Sequence, residues 1–272
     1  PRGARGALQG VRVSTDIHAA ILGASGYGAG ELLRLLVAHP RVRVGALTST
    51  SLAGKPVHAA HPHLRGFYEG LAVTAGLRPE ALSGGRRGGV FSSLPHGASG
   101  DAVAAVRSML PEALVIDLSG DLRLQDAALH ARFYPESAAH EALRREAVYG
   151  LGELNRDALR AARVIANPGC LATAAILAAA PVAALRLEGG LAVDAKTGSS
   201  GSGRTLKETT HHPTRHADFR AYKPLSHQHE PEILLTLGDP RGERLCMSFV
   251  AQSMDAARGI FAPFTAESDG GA

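Results

Sequence analysis

The sequence predicts an α/β protein in which a doubly wound parallel sheet is followed by a smaller α+β unit. Three observations carry that prediction. Apolar strands alternate with helical stretches through the first half, and the first strand runs straight into a glycine-rich turn. Beyond residue 169 the alternation gives way to a polar, histidine-rich loop and separate strand-like pieces.

The elements follow in order. Segment 1–16 is basic and lacks an apolar signal region, so it reads as a disordered leader. "IHAAILGASGYGAGELLRLLVAHP", residues 17–40, is a strand, a glycine turn and a helix with Leu32, Leu33, Leu35 and Leu36 on its buried side, stopped by Pro40. A strand at 42–48 completes a βαβ unit, which needs a parallel sheet. Further strands are expected at 89–94, 114–118 and 163–166. A dinucleotide-binding domain is therefore placed at 17–168 and a second, catalytic domain at 169–272. The apolar run after Cys170 reads as a buried helix interrupted by Pro181, "HHPTRH" as a loop, and 232–237 and 245–251 as strands.

Composition bounds the function. Of 272 residues, 45% are hydrophobic and 20% charged, and no apolar run has the length of a membrane span. The net charge of +4, with arginines scattered among acids, makes nucleic acid a poor candidate and suits a small anionic ligand or an acidic partner. The two cysteines, Cys170 and Cys246, form no C-x-x-C pair, which suits a reducing, cytoplasmic setting.

Four constellations carry chemistry. Gly23, Gly26 and the helix after them form a cradle in which backbone approaches a pyrophosphate; a plain strand-to-helix turn is the bland alternative. The second strand ends in "LTSTSLAGK", without an acid for a ribose 2′-hydroxyl. Ser49, Thr50 and Ser51 would there suit a 2′-phosphate, hence NADP over NAD, or form an ordinary loop. Cys170 opens a helix behind "NPG", where the helix dipole is expected to lower its pKa toward the thiolate, with a small, inert, buried residue as the competing reading. His227, His229 and Glu232 of "SHQHEPE" are its candidate bases. Five of 13 histidines lie between His211 and His229, but their loop-like setting argues against zinc, and no metal is expected. "KTGSSGSGR" offers Ser199, Ser202, Arg204 and, just beyond, Lys207 to an anion, with a linker as the alternative. In "IDLSGDLRL", Asp117 is a capping candidate and Arg123 a substrate contact, while solvated surface is the default for such charges. A nicotinamide site beside an activated thiol suggests thioester chemistry followed by hydride transfer.

"ILGASGYGAGELLRLL", "AGKPV", "LPHG", "IDLSGDLRL", "NPGC", "SGSGR" and "HQHEPE" stand in the order found in N-acetyl-gamma-glutamyl-phosphate reductases of arginine biosynthesis, and the chain resembles that family from about Ile17 to Phe264. "AGKPVHAAHPHLRG" and "THHPTRHADFRAYKP" also resemble the sister reductase of lysine biosynthesis, whose substrate rides on a small acidic carrier protein. The resemblance implies a Rossmann-like fold, a homo-oligomer, and NADPH-dependent reduction of an acyl phosphate to a semialdehyde through a cysteine thioester. It makes Cys170 the nucleophile and His229 the general acid/base, oriented by His227 and Glu232. Gly23, Ser25, Gly26, Tyr27 and Gly28 would cradle NADPH, with His96 and Gly97 on the nicotinamide side. Asn167 of "NPGC" joins the expected substrate contacts. The arginine enzyme is the first reading, because "NPGC" and "SGSGR" match it better. Two departures stand out. Thr50 occupies the place of the family's second-strand arginine, and the chain stops at "FTAESDGGA" where members continue back to the first domain, so a truncated C-terminus is expected. A catalytically silent NADP-binding fragment is the rival from another class, and the intact Cys170 and histidine pair speak against it.

Overall fold

Residues 19–22 of the first apolar run are buried without interruption, as a strand covered on both faces must be. The computed structural model describes residues 17–82, 87–183, 187–238 and 245–268; the leader expected at 1–16 and the last four residues lie outside them. The first half runs β1 (Ile17–Leu22), α1 (Tyr27–Leu36), β2 (Val42–Thr48), β3 (Val73–Thr74), β4 (Arg87–Ser92), α2 (Ser99–Met109), β5 (Leu114–Asp117), α3 (Ala127–Phe133), α4 (Glu141–Glu146), β6 (Val148–Tyr149), α5 (Gly152–Ala161) and β7 (Val164–Ala166). Its seven strands lie in the order β3-β2-β1-β4-β5-β7-β6, all parallel.

Side chains on β1 alternate between two cores. Ile21 packs with Leu33, Leu36 and Leu47, whereas Ala20 and Leu22 pack with Val90, Val103 and Val115. Each fully buried aliphatic side chain contributes roughly 1.5–3 kcal/mol. Strand order reverses between β1 and β4, and such a switch point opens a crevice beyond the strands' C-terminal ends. The sequence reading of α1 needs one correction: Leu35 is 57% exposed, because with Leu33 and Leu36 inward it points away from the sheet.

The second half contains α6 (Cys170–Ala183), β8 (Leu187–Thr197), α7 (His212–Arg215), β9 (Arg220–Tyr222), α8 (Glu230–Leu237), β10 (Met247–Ser253), β11 (Ile260–Phe261) and β12 (Phe264–Ser268). A mixed sheet runs β11-β8-β10-β9, with β12 also on β8. Leu171 and Ile176 of α6 and Ile233 and Leu237 of α8 pack on Val193 and Phe249 of this sheet.

Three sequence readings are overturned here. Residues 232–237 are helical, not a strand: Pro231 sits in the first turn, and Ile233 and Leu237, one turn apart, share the buried face. "HHPTRH" holds a short helix, with the rings of His212 and His216 one turn apart at 5.1 Å. Pro181 does not interrupt α6, because in the last turn its missing N–H costs one bond near an end that frays anyway. The long strand β8 had no separate expectation; its GG-small-residue sequence hides the alternation of Leu191, Val193 and Ala195 toward the core. No helix among the described residues is long and apolar enough to cross a membrane.

Candidate active site

The glycine turn between β1 and α1 lies at the switch point. Gly23 has φ +79°, and a Cβ there would fall 2.7 Å from the Ser93 carbonyl oxygen, so only glycine lets the turn close against β4. Gly26 caps α1 without a side-chain acceptor, which leaves the first N–H groups of the helix for an anion. Beneath the turn, His61 is buried and its Nε2 bonds the Ala24 carbonyl at 2.8 Å. Over the turn stands a cleft of about 1290 Å³ walled by Gly23, Gly26, Tyr27, Ser93 and His96, among others. The hydroxyls of Ser25, Ser49 and Ser51 cluster on its wall, 3.1–3.4 Å apart. These features fit a dinucleotide, with the pyrophosphate against α1.

A second chamber of about 680 Å³ adjoins it and holds Cys170, His227 and His229. The two share Gly28, Ser93, His96, Gly201, Ser202 and Lys207 as walls. Cys170 is the first residue of α6, and the turn before it is fixed by one carboxylate. Glu232, 1% exposed, accepts the Gly169 N–H (2.9 Å), the Tyr149 hydroxyl (2.8 Å), the Tyr134 hydroxyl (3.3 Å) and Arg123 Nη1 (3.1 Å). Arg123 in turn donates to the Asn167 carbonyl (2.8 Å) and the Leu118 carbonyl (2.9 Å). Position 169 must be glycine, because a Cβ would sit 2.3 Å from His229 Nε2. The His229 ring therefore lies directly on the cysteine turn, with Nε2 4.0 Å from Glu232 Oε1.

Electrostatics makes this a neutral pair at rest. Burial, then Arg123 and His96, push His229 down to about 3, so its imidazole is uncharged at neutral pH and would hold a proton only weakly. Burial and His229 likewise push His227 down to about 3, and His227 Nδ1 accepts the His229 backbone N–H at 3.1 Å. The thiol departs from the sequence expectation. Cys170 is exposed on the chamber, yet the protein around it still desolvates the thiolate and raises its pKa, against the N–H groups of Leu171 and Cys170 and the charge of Arg123, all of which favour the thiolate. The helix terminus is there, but desolvation wins. Burial opposes the charge of Arg123, and the adjacent Glu232 more than restores it.

The remaining expected residues divide. Thr50 is exposed on the dinucleotide cleft, and Ser202 and Lys207 line both spaces. Arg123 does not stand free for a substrate: it is buried with Nε, Nη1 and Nη2 all engaged, and it holds the cysteine turn. Asp117, Ser119 and Asp121 are equally buried, against the reading as solvated surface. Asp121 accepts the N–H groups of Gly97, Ser99 and Gly100, and these with Ser137 outweigh burial and hold its carboxyl below the ordinary value. Gly97 is thus a turn tied to Asp121 and lies on neither cleft wall; Ser199 lies on neither as well. His96 lines both, its Nδ1 accepting the Gly120 N–H at 2.7 Å, which leaves Nε2 to carry the proton. Arg204 reaches the dinucleotide cleft and does not line the thiol chamber. Sequence reasoning missed Tyr134 and Tyr149, and also Arg215, a chamber-lining arginine that donates to the Met254 carbonyl at 2.6 Å and has no carboxylate partner among the described residues. Among those residues no group of three or more His, Cys, Asp or Glu could hold a metal ion.

Known proteins share this arrangement of halves. Residues 18–162 match the family described as semialdehyde dehydrogenase, NAD binding domain, and residues 170–272 the one described as semialdehyde dehydrogenase, dimerisation domain. N-acetyl-gamma-glutamyl-phosphate reductase of Desulforudis audaxviator is 40% identical over 250 residues, 90% of this chain and 70% of that protein. [LysW]-L-2-aminoadipate/[LysW]-L-glutamate phosphate reductase of Sulfurisphaera tokodaii is 39% identical over 248 residues, again 90% of this chain and 70% of the relative. Aspartate semialdehyde dehydrogenase II from Vibrio cholerae superposes with a TM-score of 0.65 at 16% identity, over 92% of this chain and 74% of that one. The Candida albicans aspartate semialdehyde dehydrogenase solved with NADP gives 0.56 at 14% identity, over 93% and 71%. At these identities the two structures speak to the fold alone.

Proposed function

Because the chain belongs to the family of N-acetyl-gamma-glutamyl-phosphate reductases and their [LysW]-linked sister enzymes, NAD(P)-binding semialdehyde dehydrogenases of the acyl-phosphate reductase type, we propose that it reduces N-acetyl-gamma-glutamyl phosphate to the semialdehyde with NADPH. The observation that carries this reading is the continuity of the two clefts: the glycine-turn cleft opens, past His96, onto the chamber of Cys170 and His229. The matched dimerisation domain supports a homo-oligomer, and the two free thiols suit a cytoplasmic setting.

The sulfur of Cys170 bonds to the acyl carbon as the carbon–oxygen bond to phosphate breaks. The His229 imidazole, set on the cysteine turn, relays the thiol proton to the departing phosphate in step with carbon–sulfur bond formation. Arg215 and Lys207 hold the anionic groups of the substrate in the chamber. Bound NADPH supplies the hydride that reduces the thioester. The sulfur then leaves the aldehyde carbon as thiolate and recovers one proton from solvent through His229. Glu232 and Arg123 keep the cysteine turn and the imidazole in register throughout.

The test is NADPH oxidation followed with N-acetyl-gamma-glutamyl phosphate. Cys170→Ala should abolish turnover while the fold is kept, and His229→Asn should lower kcat by about 10²–10⁴. Normal turnover by the alanine variant would end the thiol mechanism. A second reading, a carrier-borne substrate, is favoured by one observation: Leu206, 96% exposed, stands on the loop that walls both clefts, with exposed Phe219 and Leu225 on neighbouring segments. Comparing free and carrier-linked acyl phosphate at equal concentration separates the two.

A further inference from the structure

We infer that Arg204, from the loop after β8, is the counter-ion for the cofactor's 2′-phosphate and the residue that makes the cleft prefer NADPH to NADH. The inference rests on the reading of the large cleft as a dinucleotide site. The end of β2 carries hydroxyls where an acid would hold a bare ribose, and position 50, where the family resemblance places an arginine, holds Thr50. The hydroxyls of Ser25, Ser49 and Ser51 nevertheless converge there within 3.1–3.4 Å of each other, a set of donors fit for a phosphate monoester but without a cation of its own. Arg204 brings that cation from 179 residues further along the chain. Its Nη1 donates to the Ala60 carbonyl at 2.6 Å and the Ser25 carbonyl at 3.4 Å, and its guanidinium lies 6.0 Å from the Tyr27 ring centroid.

Both anchors are neutral carbonyls, and no carboxylate pairs with Arg204 among the described residues. The guanidinium is thus held against the backbone of Ser25, whose hydroxyl is one of the three, with no carboxylate to compensate its charge among the described residues. A phosphate dianion there would meet three O–H donors and the free N–H groups of the fork, the geometry in which arginine binds phosphate most strongly. A 2′-hydroxyl would gain little from the same set. Gly201, Ser202 and Lys207 of the same loop also wall the thiol chamber, so a phosphate that fixes Arg204 fixes one wall of the substrate site.

The experiment is calorimetric titration of the full chain with 2′,5′-ADP and, separately, 5′-AMP, for the wild type and Arg204→Gln. Arg204 is exposed and bonds only carbonyls, so the variant should fold, which near-UV circular dichroism checks. The expected result is a preference of the wild type for 2′,5′-ADP, and a loss of about ten- to a hundredfold in the variant for that ligand alone. Unchanged affinity for 2′,5′-ADP, or equal loss for both ligands, would overturn the role of Arg204 while leaving the cleft a nucleotide site. Binding of neither ligand by the wild type would remove the dinucleotide reading itself and this inference with it.

Discussion

Replacing Glu232 by Gln should expose how much of the site hangs on one carboxylate. The Arg123 and Glu232 side chains are 4% and 0% exposed, so neither can turn to solvent when the other loses its charge. Gln keeps the volume but offers one acceptor oxygen where four donors converge on two. Whichever way the amide lies, its NH₂ faces two of those donors. Turned toward Arg123, the oxygen abandons the Gly169 N–H; turned the other way, it abandons the guanidinium. The tyrosine hydroxyl on that side can turn and accept from the amide, but the remaining donor is orphaned at about 1–3 kcal/mol, and the Arg123 charge loses its counter-ion. That agrees with the roughly 3–5 kcal/mol lost when one member of a buried ion pair is removed. Urea unfolding should therefore show that loss of stability, with the midpoint lowered by the loss divided by an unchanged m-value. Arg123→Met with Glu232→Leu should recover part of the stability and none of the activity, since the charge is gone but so is the anchor of the cysteine turn. A loss below about 1 kcal/mol in the Gln variant would refute the claim that this ion pair holds the turn.

Two further outcomes follow from the same geometry. Gly169→Ala puts a methyl 2.3 Å from His229 Nε2, so the ring must move; kcat should fall by about a hundredfold and stability by about 1–3 kcal/mol, read by steady-state kinetics and urea unfolding. An alanine variant with wild-type kcat would show that the ring need not sit on the turn. Alkylation of Cys170 by iodoacetamide in the free protein should rise with pH to a midpoint above the ordinary thiol value of about 8.5, because desolvation raises this pKa; a midpoint below neutrality would mean that the helix terminus, and not desolvation, governs the sulfur.

What the sequence made legible was whatever depends on local period and turn chemistry. The glycine turn, the first βαβ unit and the thiol at the mouth of α6 all follow from residues adjacent in the chain. Residues 232–237 misled because "ILLTL" has the composition of a strand, and only the buried pair Ile233 and Leu237, four apart, separates the periods. The buried run from Asp117 to Arg123 was illegible for a different reason. Charged residues are solvated unless partnered, and the partners Glu232, Ser99 and Gly97 lie 18 to 109 residues away in sequence. Cys170 shows the limit of a local rule: the helix terminus is visible in the sequence, but the desolvation that outweighs it comes from a chamber walled by β9 and the turn from His227 to His229. Arg204 was legible only as a cation beside "SGSG"; that the fold carries its guanidinium onto the Ser25 and Ala60 carbonyls beside the glycine turn depends on residues 144 and 179 positions away.

The most direct measurement is a single turnover with acyl phosphate and no cofactor, following phosphate release and the intact mass together. A sulfur that attacks first must release phosphate in a burst of about one equivalent per chain and leave the acyl group on the peptide that contains Cys170. Phosphate release without any mass gain on that peptide, or a burst that survives Cys170→Ala, would contradict the account.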